Sequence, residues 1–297
     1  MEDLYTQQTH DFLNERFKET VEGIYFAHQP IYGYRTSYAA GSNIARYIVS
    51  KSILNALNQY SVSNFIDIGG AEGYTAFLVR SLFNIPVKST DLSEMACRMA
   101  NEIFGIEAIP ADIHHLPFKD REFDAVVCSE TIEHVTDYKR AIEELLRITA
   151  KVLIITVPHE TPEIVAANIR DKVPHGHINY FETGTLDYLK EQGYNIQFEK
   201  MLSPLLIVPR VLVEGSRKTR NNFPYNLYNG VTPILRKIFG LRSANRLVDA
   251  DVAVAKAIGP YGGITFTITK GNIPRKENIR KIKAKDFTSI SVKEYHL

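Results

Sequence analysis

Short apolar segments alternate with longer amphipathic ones between residues 64 and 158, and this alternation limits the fold more than any other feature of the chain. Strands separated by helices predict a parallel sheet with helices on both faces. Right-handed crossovers then place the carboxyl ends of the strands on one edge, where ligands bind. The predicted strands are NFIDIGG, PVKSTDL, IEAIPAD, FDAVVCSE and KVLIITVP.

The segments outside this region predict additions to an α/β core. Helical patterns near 11–20 and 44–58 flank a loop rich in Tyr and Gly, and a segment rich in Pro, Arg and Lys follows residue 203. The predicted units are an N-terminal helical lid (1–60), the core (61–203), an insertion that covers the ligand site (204–260), the last core strand (261–271) and a basic, mobile tail (272–297).

Composition restricts where such a protein works. No apolar run approaches the roughly 20 residues that cross a bilayer, and the polar segment MEDLYTQQTHDF lacks the apolar stretch of a signal peptide. The two cysteines, Cys97 and Cys128, are too few for a disulfide framework and are interpreted as packing residues. We therefore expect a soluble, cytoplasmic protein.

The net charge of +1 conceals two oppositely charged halves. Residues 1–160 carry 14 basic and 22 acidic side chains, whereas 161–297 carry 21 and 12. One interpretation is that the basic half attracts an anionic molecule or makes peripheral contact with an anionic surface. The other is that solvated charges simply cluster. The first interpretation depends on Arg217, Lys218, Arg220, Arg236 and Lys237.

A glycine-rich turn, DIGGAEG, follows the first predicted core strand and precedes a helix. Glycine lets the backbone turn sharply and approach a ligand closely, and the helix N-terminus adds unpaired N–H groups. The dinucleotide fingerprint G-x-G-x-x-G does not fit, because its second and third glycines would fall on Ala71 and Tyr74. The alternative is a strand-to-helix turn that needs glycine for geometry alone.

Two aspartates, Asp91 and Asp112, end the next two predicted strands. A carboxylate at such a position can accept hydrogen bonds from both hydroxyls of a ribose, and a second can accept one from an exocyclic adenine amine. Each aspartate taken singly is commonly a helix cap or a turn residue. Their succession after the glycine-rich turn favours a nucleoside-binding edge.

The ordered motifs DIGGAEG, STDLS, PADIHHLPFKDREFD and AVVCSETIEHV resemble those of class I S-adenosylmethionine-dependent methyltransferases, including the ubiquinone-biosynthesis O-methyltransferases. The resemblance covers about residues 64–158 and continues more weakly to 201 and in the last strand. It implies a Rossmann-like, seven-stranded, mostly parallel sheet with helices on both faces and a reversed last strand. It also implies S-adenosylmethionine as cofactor.

The same resemblance implies positions for the cofactor. Its methionine portion would lie near the glycine-rich turn, its ribose on Asp91, and its adenine on Asp112 and the amide of Ile113. Ala71 replaces the commonest glycine, and we expect a slight adjustment of the turn without loss of binding. The predicted cofactor-binding set is Asp67, Gly69, Gly70, Gly73, Asp91, Leu92, Asp112, Ile113 and Ser129.

The segment SETIEH follows the fourth predicted strand and supplies the candidate catalytic groups, His134 and Glu133. With Glu130 and the later His177, these groups also offer a divalent metal site for Mg²⁺, Mn²⁺ or Zn²⁺. The E-x-x-E-H pattern resembles that of small-RNA 2′-O-methyltransferases, although the spacing around His177 differs. Two alternatives remain: His134 acts as a base without metal, or the glutamates cap the following helix.

Four further histidines, His114, His115, His159 and His175, are interpreted as surface or loop residues.

Three functions are compatible with these features. The first is O-methylation of a small phenolic, sugar or lipid-like acceptor. The second is metal-dependent RNA 2′-O-methylation, favoured by the basic second half but disfavoured by a net charge near zero and by the absence of a recognisable RNA module. The third is a non-catalytic, cofactor-binding partner subunit, which the intact cofactor motifs disfavour. The sequence does not indicate an oligomeric state.

Overall fold

A computed structural model describes residues 4–18, 20–21, 24–25, 39–203, 234, 238 and 241–291. Its strands are β1 Thr20–Val21, β2 Ile24–Tyr25, β3 Phe65–Ile68, β4 Val87–Asp91, β5 Glu107–Pro110, β6 Phe123–Ser129, β7 Thr149–Pro158, β8 Tyr194–Met201 and β9 Gly263–Lys270. Its helices are α1 Leu4–Arg16, α2 Ala39–Asn58, α3 Tyr74–Phe83, α4 Glu94–Phe104, α5 Tyr138–Ile148, α6 Pro162–Arg170, α7 Tyr188–Glu191, α8 Leu241–Ile258 and α9 Ala284–Ser291.

Seven strands form one sheet in the order β5-β4-β3-β6-β7-β9-β8. The strands from β3 to β7 pair in parallel, whereas β9 runs antiparallel to both of its neighbours. The predicted seven-stranded, mostly parallel sheet with a reversed last strand is therefore confirmed. Strands β1 and β2 make a separate two-stranded ladder in a region where the sequence shows no strong strand signal.

Alternate residues of the central strands face opposite layers of helices. Val127 belongs to the apolar cluster that includes α2, α3, α4 and α9, whereas Val126 belongs to the cluster formed with α5. Helix α5 buries Ala141, Ile142, Leu145 and Ile148, the spacing of an amphipathic helix. Burial of each Leu or Ile side chain stabilises the fold by about 1.5–3 kcal/mol. The glycine-rich turn and the candidate catalytic segment therefore extend from a rigid sheet.

The basic tail is not mobile over its described part, so that expectation is wrong for residues 272–291. Phe287 of α9 is fully buried and lies edge-on to Tyr47 of α2, with ring centroids 6.0 Å apart. The side-chain amide of Asn55 donates to the Ile282 carbonyl at 3.0 Å and its oxygen accepts from the Ile282 amide at 2.9 Å. The many basic residues of this segment made its short apolar face hard to recognise in the sequence. The basic side chains themselves are exposed, as expected.

Much of the predicted lid loop and insertion lies outside the described residues. This holds for 26–38 and 204–233, and for Arg217, Lys218, Arg220, Arg236 and Lys237. The described part of the insertion is α8, which packs against α2, α9 and β8. Buried Asp251 of α8 accepts hydrogen bonds from the backbone amides of Leu202 and Ser203, both at 2.8 Å. Helix α8 therefore belongs to the core packing at the end of β8.

The N-terminal helices differ in extent from their sequence patterns. Helix α1 begins and ends earlier than the 11–20 pattern, and α2 begins five residues before the 44–58 pattern. None of the described helices is long and apolar enough to cross a membrane.

Candidate active site

The glycine-rich turn between β3 and α3 has backbone geometry that only small residues accommodate. Gly69 has a φ of 69°, and a Cβ built there would lie 2.3 Å from Oγ1 of Thr131. Gly73 has a φ of 81°, and its Cβ would lie 2.9 Å from that of Ala100. Ala71 adopts a φ of 48°, a left-handed conformation that costs a non-glycine residue about 1–2 kcal/mol. The glycines are thus needed for close packing as well as for the turn.

Asp67 lies under this turn. Its side chain is 1% exposed, and its Oδ2 atom has no hydrogen-bond partner in the described part of the chain. Burial raises the pKa of Asp67 to about 8, and the nearby Asp91 adds to the rise. The carboxyl group is therefore protonated over most of the neutral range, and it packs so close to Gly70 that a Cβ there would lie 2.8 Å from Oδ2.

Asp91 ties the turn to the end of β4. One carboxylate oxygen accepts from the Ala71 amide and the other from the Ser93 amide, both at 2.9 Å. Burial raises the pKa of Asp91 to about 6, and the two backbone hydrogen bonds oppose that rise. Each carboxylate oxygen offers more than one lone pair, so the bonds that hold the turn leave capacity for ligand hydroxyls.

Asp112, after β5, is paired with a histidine that the sequence analysis interpreted as a surface or loop residue. One of its oxygens accepts from the His114 amide at 2.9 Å and lies 2.7 Å from Nδ1 of His114. This hydrogen bond lowers the pKa of Asp112 and raises that of His114. The predicted neighbours are also at this edge: Ile113 is buried, Leu92 is half-buried, and Ser129 shares a hydrogen bond with Thr156 at 2.8 Å.

The second half of the site begins where β6 ends. Glu130 has a φ of 51°, and Thr156 of β7 donates from Oγ1 to its carboxylate at 3.1 Å. Burial raises the pKa of Glu130, whereas His177 lowers it. A short 3-10 turn, Ile132–His134, follows and carries the candidate catalytic pair.

Glu133 is a buried acid without compensation. Its side chain is 1% exposed, and neither carboxylate oxygen has a hydrogen-bond partner among the residues described. Burial raises its pKa well above the usual range, and the Glu130 carboxylate raises it further. An unpaired buried charge is costly, so this group requires either a proton or a cation.

His134 lies beside Glu133, but another group holds its ring. Its Nδ1 is 3.2 Å from the Gly176 carbonyl, which requires a proton on Nδ1 and leaves the Nε2 lone pair available. Nε2 lies 3.7 Å from the nearer Glu133 oxygen, too far for a hydrogen bond. Burial lowers the pKa of His134 well below the usual range, and the His175 and His177 rings lower it further.

Three of the four predicted metal ligands converge. One ligand atom from each of Glu133, His134 and His177 lies within 4.8 Å of the others. Glu130 does not belong to this group, because Thr156 holds its carboxylate toward β7. Nδ1 of His177 lies 2.8 Å from Oε2 of Glu160. A carboxylate in that position fixes the ring orientation of a metal-binding histidine.

Sequence reasoning missed two residues of this cluster, Glu160 and His175. The ring of His175 stacks on that of His134, with centroids 3.7 Å apart and planes 14° apart. Burial lowers the pKa of His175 to about 4. His175 and His114 lie in loops, one of the two predicted settings, but both are half-buried and contact site residues. The available signal was the segment HGH, whose two histidines flank the carbonyl that holds His134.

The remaining predicted histidines and both cysteines take no part in this cluster. His115 is exposed as expected, whereas His159 is half-buried and stacks on Tyr261 at 4.3 Å. Both cysteines are buried and unpaired. Burial raises the pKa of Cys97 to about 12 and that of Cys128 well above its usual range, as suits packing residues.

Comparison with known proteins identifies the class. Residues 66–152 match the family model described as a methyltransferase domain. Norajmaline N-methyltransferase of Rauvolfia serpentina is 29% identical over 139 residues, 42% of this chain and 48% of that protein. Chloroplastic tocopherol O-methyltransferase of Arabidopsis thaliana is 26% identical over 108 residues, 33% of this chain and 31% of that protein.

A solved structure confirms the fold. Phosphoethanolamine N-methyltransferase 2 of Haemonchus contortus, in complex with S-adenosyl-L-methionine, matches with a TM-score of 0.55 and 19% identity over 89% of this chain and 60% of that chain. The chain described here contains a class I S-adenosylmethionine-dependent methyltransferase domain, as its motifs indicated. It spans about half of the length of one curated relative and a third of the other, so their acceptors are properties of those proteins.

Proposed function

We propose that this protein transfers a methyl group from S-adenosylmethionine to a hydroxyl of a small-molecule acceptor, with His134 as the base. One observation carries the proposal: the Gly176 carbonyl holds the proton of His134 on Nδ1, so Nε2 is available to accept another. Burial lowers the pKa of His134 and so favours the neutral ring, the form that can accept a proton. Glu133, proposed as its catalytic neighbour, lies beside Nε2.

The residues at the carboxyl ends of β3, β4 and β5 fit the cofactor. The close packing at Gly69, Gly70 and Gly73 fixes the backbone of the turn that would face the cofactor. Asp91 and Leu92 would contact the ribose, Asp112 and Ile113 the adenine, and Ser129 the side facing the acceptor. When bound, S-adenosylmethionine supplies a methyl group already activated by the sulfonium. The protein then has to bind and orient both molecules, exclude water and accept one proton.

A second version of this chemistry has an observation in its favour. Glu133 is buried with both oxygens unpartnered, and its ligand atom lies within 4.8 Å of those of His134 and His177. These oxygen and imidazole donors fit a divalent ion such as Mg²⁺, Mn²⁺ or Zn²⁺, with Glu160 orienting His177. A divalent ion bound there would lower the pKa of the acceptor hydroxyl. His134 would then be a ligand and not the base.

The predicted location and the other predicted partners of the protein also remain proposals. The free cysteines favour a reducing compartment, which supports the proposed cytoplasmic location. RNA as acceptor and contact with an anionic surface depend on basic residues that lie mainly outside the described ranges.

One experiment tests both versions. The purified protein is given S-adenosylmethionine labelled on the methyl group, with either a small-molecule extract or RNA, before and after exhaustive chelation. Label in small molecules that persists after chelation supports His134 as base. Activity lost on chelation and restored by one ion supports the metal version. Label in RNA alone, or no transfer with either acceptor despite cofactor binding, contradicts the proposal.

A further inference from the structure

Helix α1 contacts both halves of the site. On the cofactor side, Oδ1 of Asn14 accepts from Oγ of Ser93 at 2.6 Å and from the Met95 amide at 3.2 Å. Ser93 is the N-cap of α4 and also donates its amide to Asp91. Asn14 thus attaches α1 directly to the residues that follow the predicted ribose-binding aspartate.

The same helix reaches the acceptor side through aromatic rings. Phe12 stacks on His175 with centroids 5.9 Å apart and planes 30° apart, and His175 stacks on His134 at 3.7 Å. The Tyr5 hydroxyl donates at 3.3 Å to the Gly176 carbonyl, the same oxygen that lies 3.2 Å from Nδ1 of His134. Two kinds of contact therefore lead from α1 to the His134 ring.

Helix α1 buries little apolar surface. Thr9 is its only buried residue, Leu13 packs partly buried against the core, and Phe17, just beyond its end, is buried. A helix with so small an apolar face does not dock by hydrophobic burial alone. Contacts beyond its apolar face therefore contribute to its position: the Asn14 hydrogen bonds, the approach of His10 Nε2 to Glu94 at 3.8 Å, and the ring stack.

We infer that Phe12 and His175 are positioning residues that hold the His134 ring for proton transfer. This inference rests on the proposed role of His134 as base. The Gly176 carbonyl fixes which nitrogen carries the proton, and the stacked rings restrict rotation of the imidazole about its side-chain bonds. Placement of a reacting group within a narrow range of geometry is a substantial part of catalysis. Offset-stacked rings supply the necessary directional contact.

The test compares ring and non-ring variants at Phe12 and His175. We expect Phe12→Ala and Phe12→Leu each to lower kcat about tenfold, with the KM for S-adenosylmethionine changed less than about twofold. Phe12→Tyr and His175→Phe keep a ring and should retain most of kcat. Leu4→Ala, on the same helix but 72% exposed, is the matched control and should match the wild type.

A second measurement does not depend on turnover. In the ¹H–¹⁵N imidazole spectrum of the wild type, we expect His134 to show one tautomer with its proton on Nδ1. Phe12→Leu should broaden that signal or mix the tautomers, and Phe12→Tyr should restore it. Each variant is first shown to be folded by its melting temperature.

The outcomes separate this inference from the proposed function. If His134→Gln abolishes transfer but Phe12→Leu keeps both the wild-type kcat and the wild-type spectrum, the positioning role is wrong and the base remains. If His134→Gln retains full activity, the proposed function itself fails. If Phe12→Leu lowers kcat, Phe12→Tyr does not, and the KM stays constant, the result supports the role of the stacked rings in positioning His134.

Discussion

Asp91 and Glu133 are both buried acids near the carboxyl edge of the same sheet, but the protein treats them in opposite ways. Asp91 is 7% exposed and both of its oxygens accept backbone hydrogen bonds, whereas Glu133 is 1% exposed and neither oxygen is paired within the described ranges. The cofactor side is thus built by the protein's own hydrogen bonds. On the proposed acceptor side, the Glu133 carboxylate has no such partner and needs a bound proton or a cation to balance its charge.

This difference indicates where each half of the chemistry is provided. In the proposed function, binding of the cofactor needs fixed geometry, which the hydrogen bonds of Asp91 to the Ala71 and Ser93 amides would provide. In the proposed function, proton removal needs a group whose charge can change; burial raises the pKa of Glu133 and lowers that of His134, so both favour their neutral forms. The variants below test that contrast.

The largest effect is expected at Gly69. In Gly69→Ala the new Cβ would lie 2.3 Å from Thr131 Oγ1 at a φ of 69°, so the turn or the Thr131 side chain must move. We expect cofactor affinity to fall about 100-fold or more, about 2.7 kcal/mol, by calorimetry. Gly105→Ala is the matched control, because its φ of 59° is similar but nothing lies within 4 Å. An equal loss of cofactor affinity in both variants would show that close packing at Gly69 is irrelevant.

Removal of the Asp91 carboxylate should have the next largest effect. Hydrogen bonds to a charged acceptor contribute about 1.5–3 kcal/mol each, so Asp91→Ala should weaken S-adenosylmethionine at least about tenfold. Calorimetric titration measures this directly. Wild-type affinity in Asp91→Ala would sink the ribose assignment and leave Asp91 as a support for the turn.

Replacement of Glu133 by Gln should raise the free energy of unfolding, whereas the same replacement of a paired glutamate should lower it. The pKa of Glu133 is higher in the folded protein than in the unfolded chain. The contribution of Glu133 to the free energy of unfolding is therefore fully present below its unfolded pKa and is lost as the pH rises toward its folded pKa. Glu133→Gln should therefore stabilise the ligand-free protein at pH 8, by about 1–3 kcal/mol. Urea unfolding at pH 5 and 8 gives the difference.

Glu144 is the matched control for that prediction. It is also buried, but it pairs with Arg147 at 2.8 Å and accepts from the Leu116 amide at 3.1 Å. These contacts lower its pKa, so its stabilisation is present above the unfolded value and is lost as the pH falls. Glu144→Gln should destabilise the protein at pH 8. Destabilisation of similar size by Glu133→Gln would mean that Glu133 is paired after all.

The smallest effect is expected at Ala71. Glycine relieves the left-handed strain at a φ of 48° but adds flexibility to the unfolded chain. Because these two contributions oppose each other, Ala71→Gly should change the free energy of unfolding by less than about 1 kcal/mol and cofactor affinity by less than about twofold. A tenfold gain in affinity would show that Ala71 impairs the turn.

Local signals predicted the sheet and the order of its ligand-bearing ends. Strand periodicity, the glycine-rich turn and the strand-end aspartates are each encoded within a few adjacent residues. The pairing of His114 with Asp112 and the stack of His175 on His134 were missed, because neither depends on a repeating pattern. The stack joins residues 41 positions apart through a loop that returns to the sheet edge.

The docked tail was missed for a different reason. Its apolar positions, Ile282, Ala284 and Phe287, are few and stand among basic residues, so the average composition indicated a solvated segment. Only the partner surface on α2 shows that these side chains are buried. Average composition is therefore a weak guide where a short helix docks by a few contacts.

The measurement that tests the central claim most directly is the rate of methyl transfer by His134→Gln, at saturating S-adenosylmethionine, with an acceptor identified from the extract. Loss of a general base lowers rates by about 10²–10⁴-fold. We predict a loss in that range with cofactor affinity unchanged, because His134 lies on the acceptor side. A wild-type rate in His134→Gln would contradict the assignment of His134 as the group that accepts the proton.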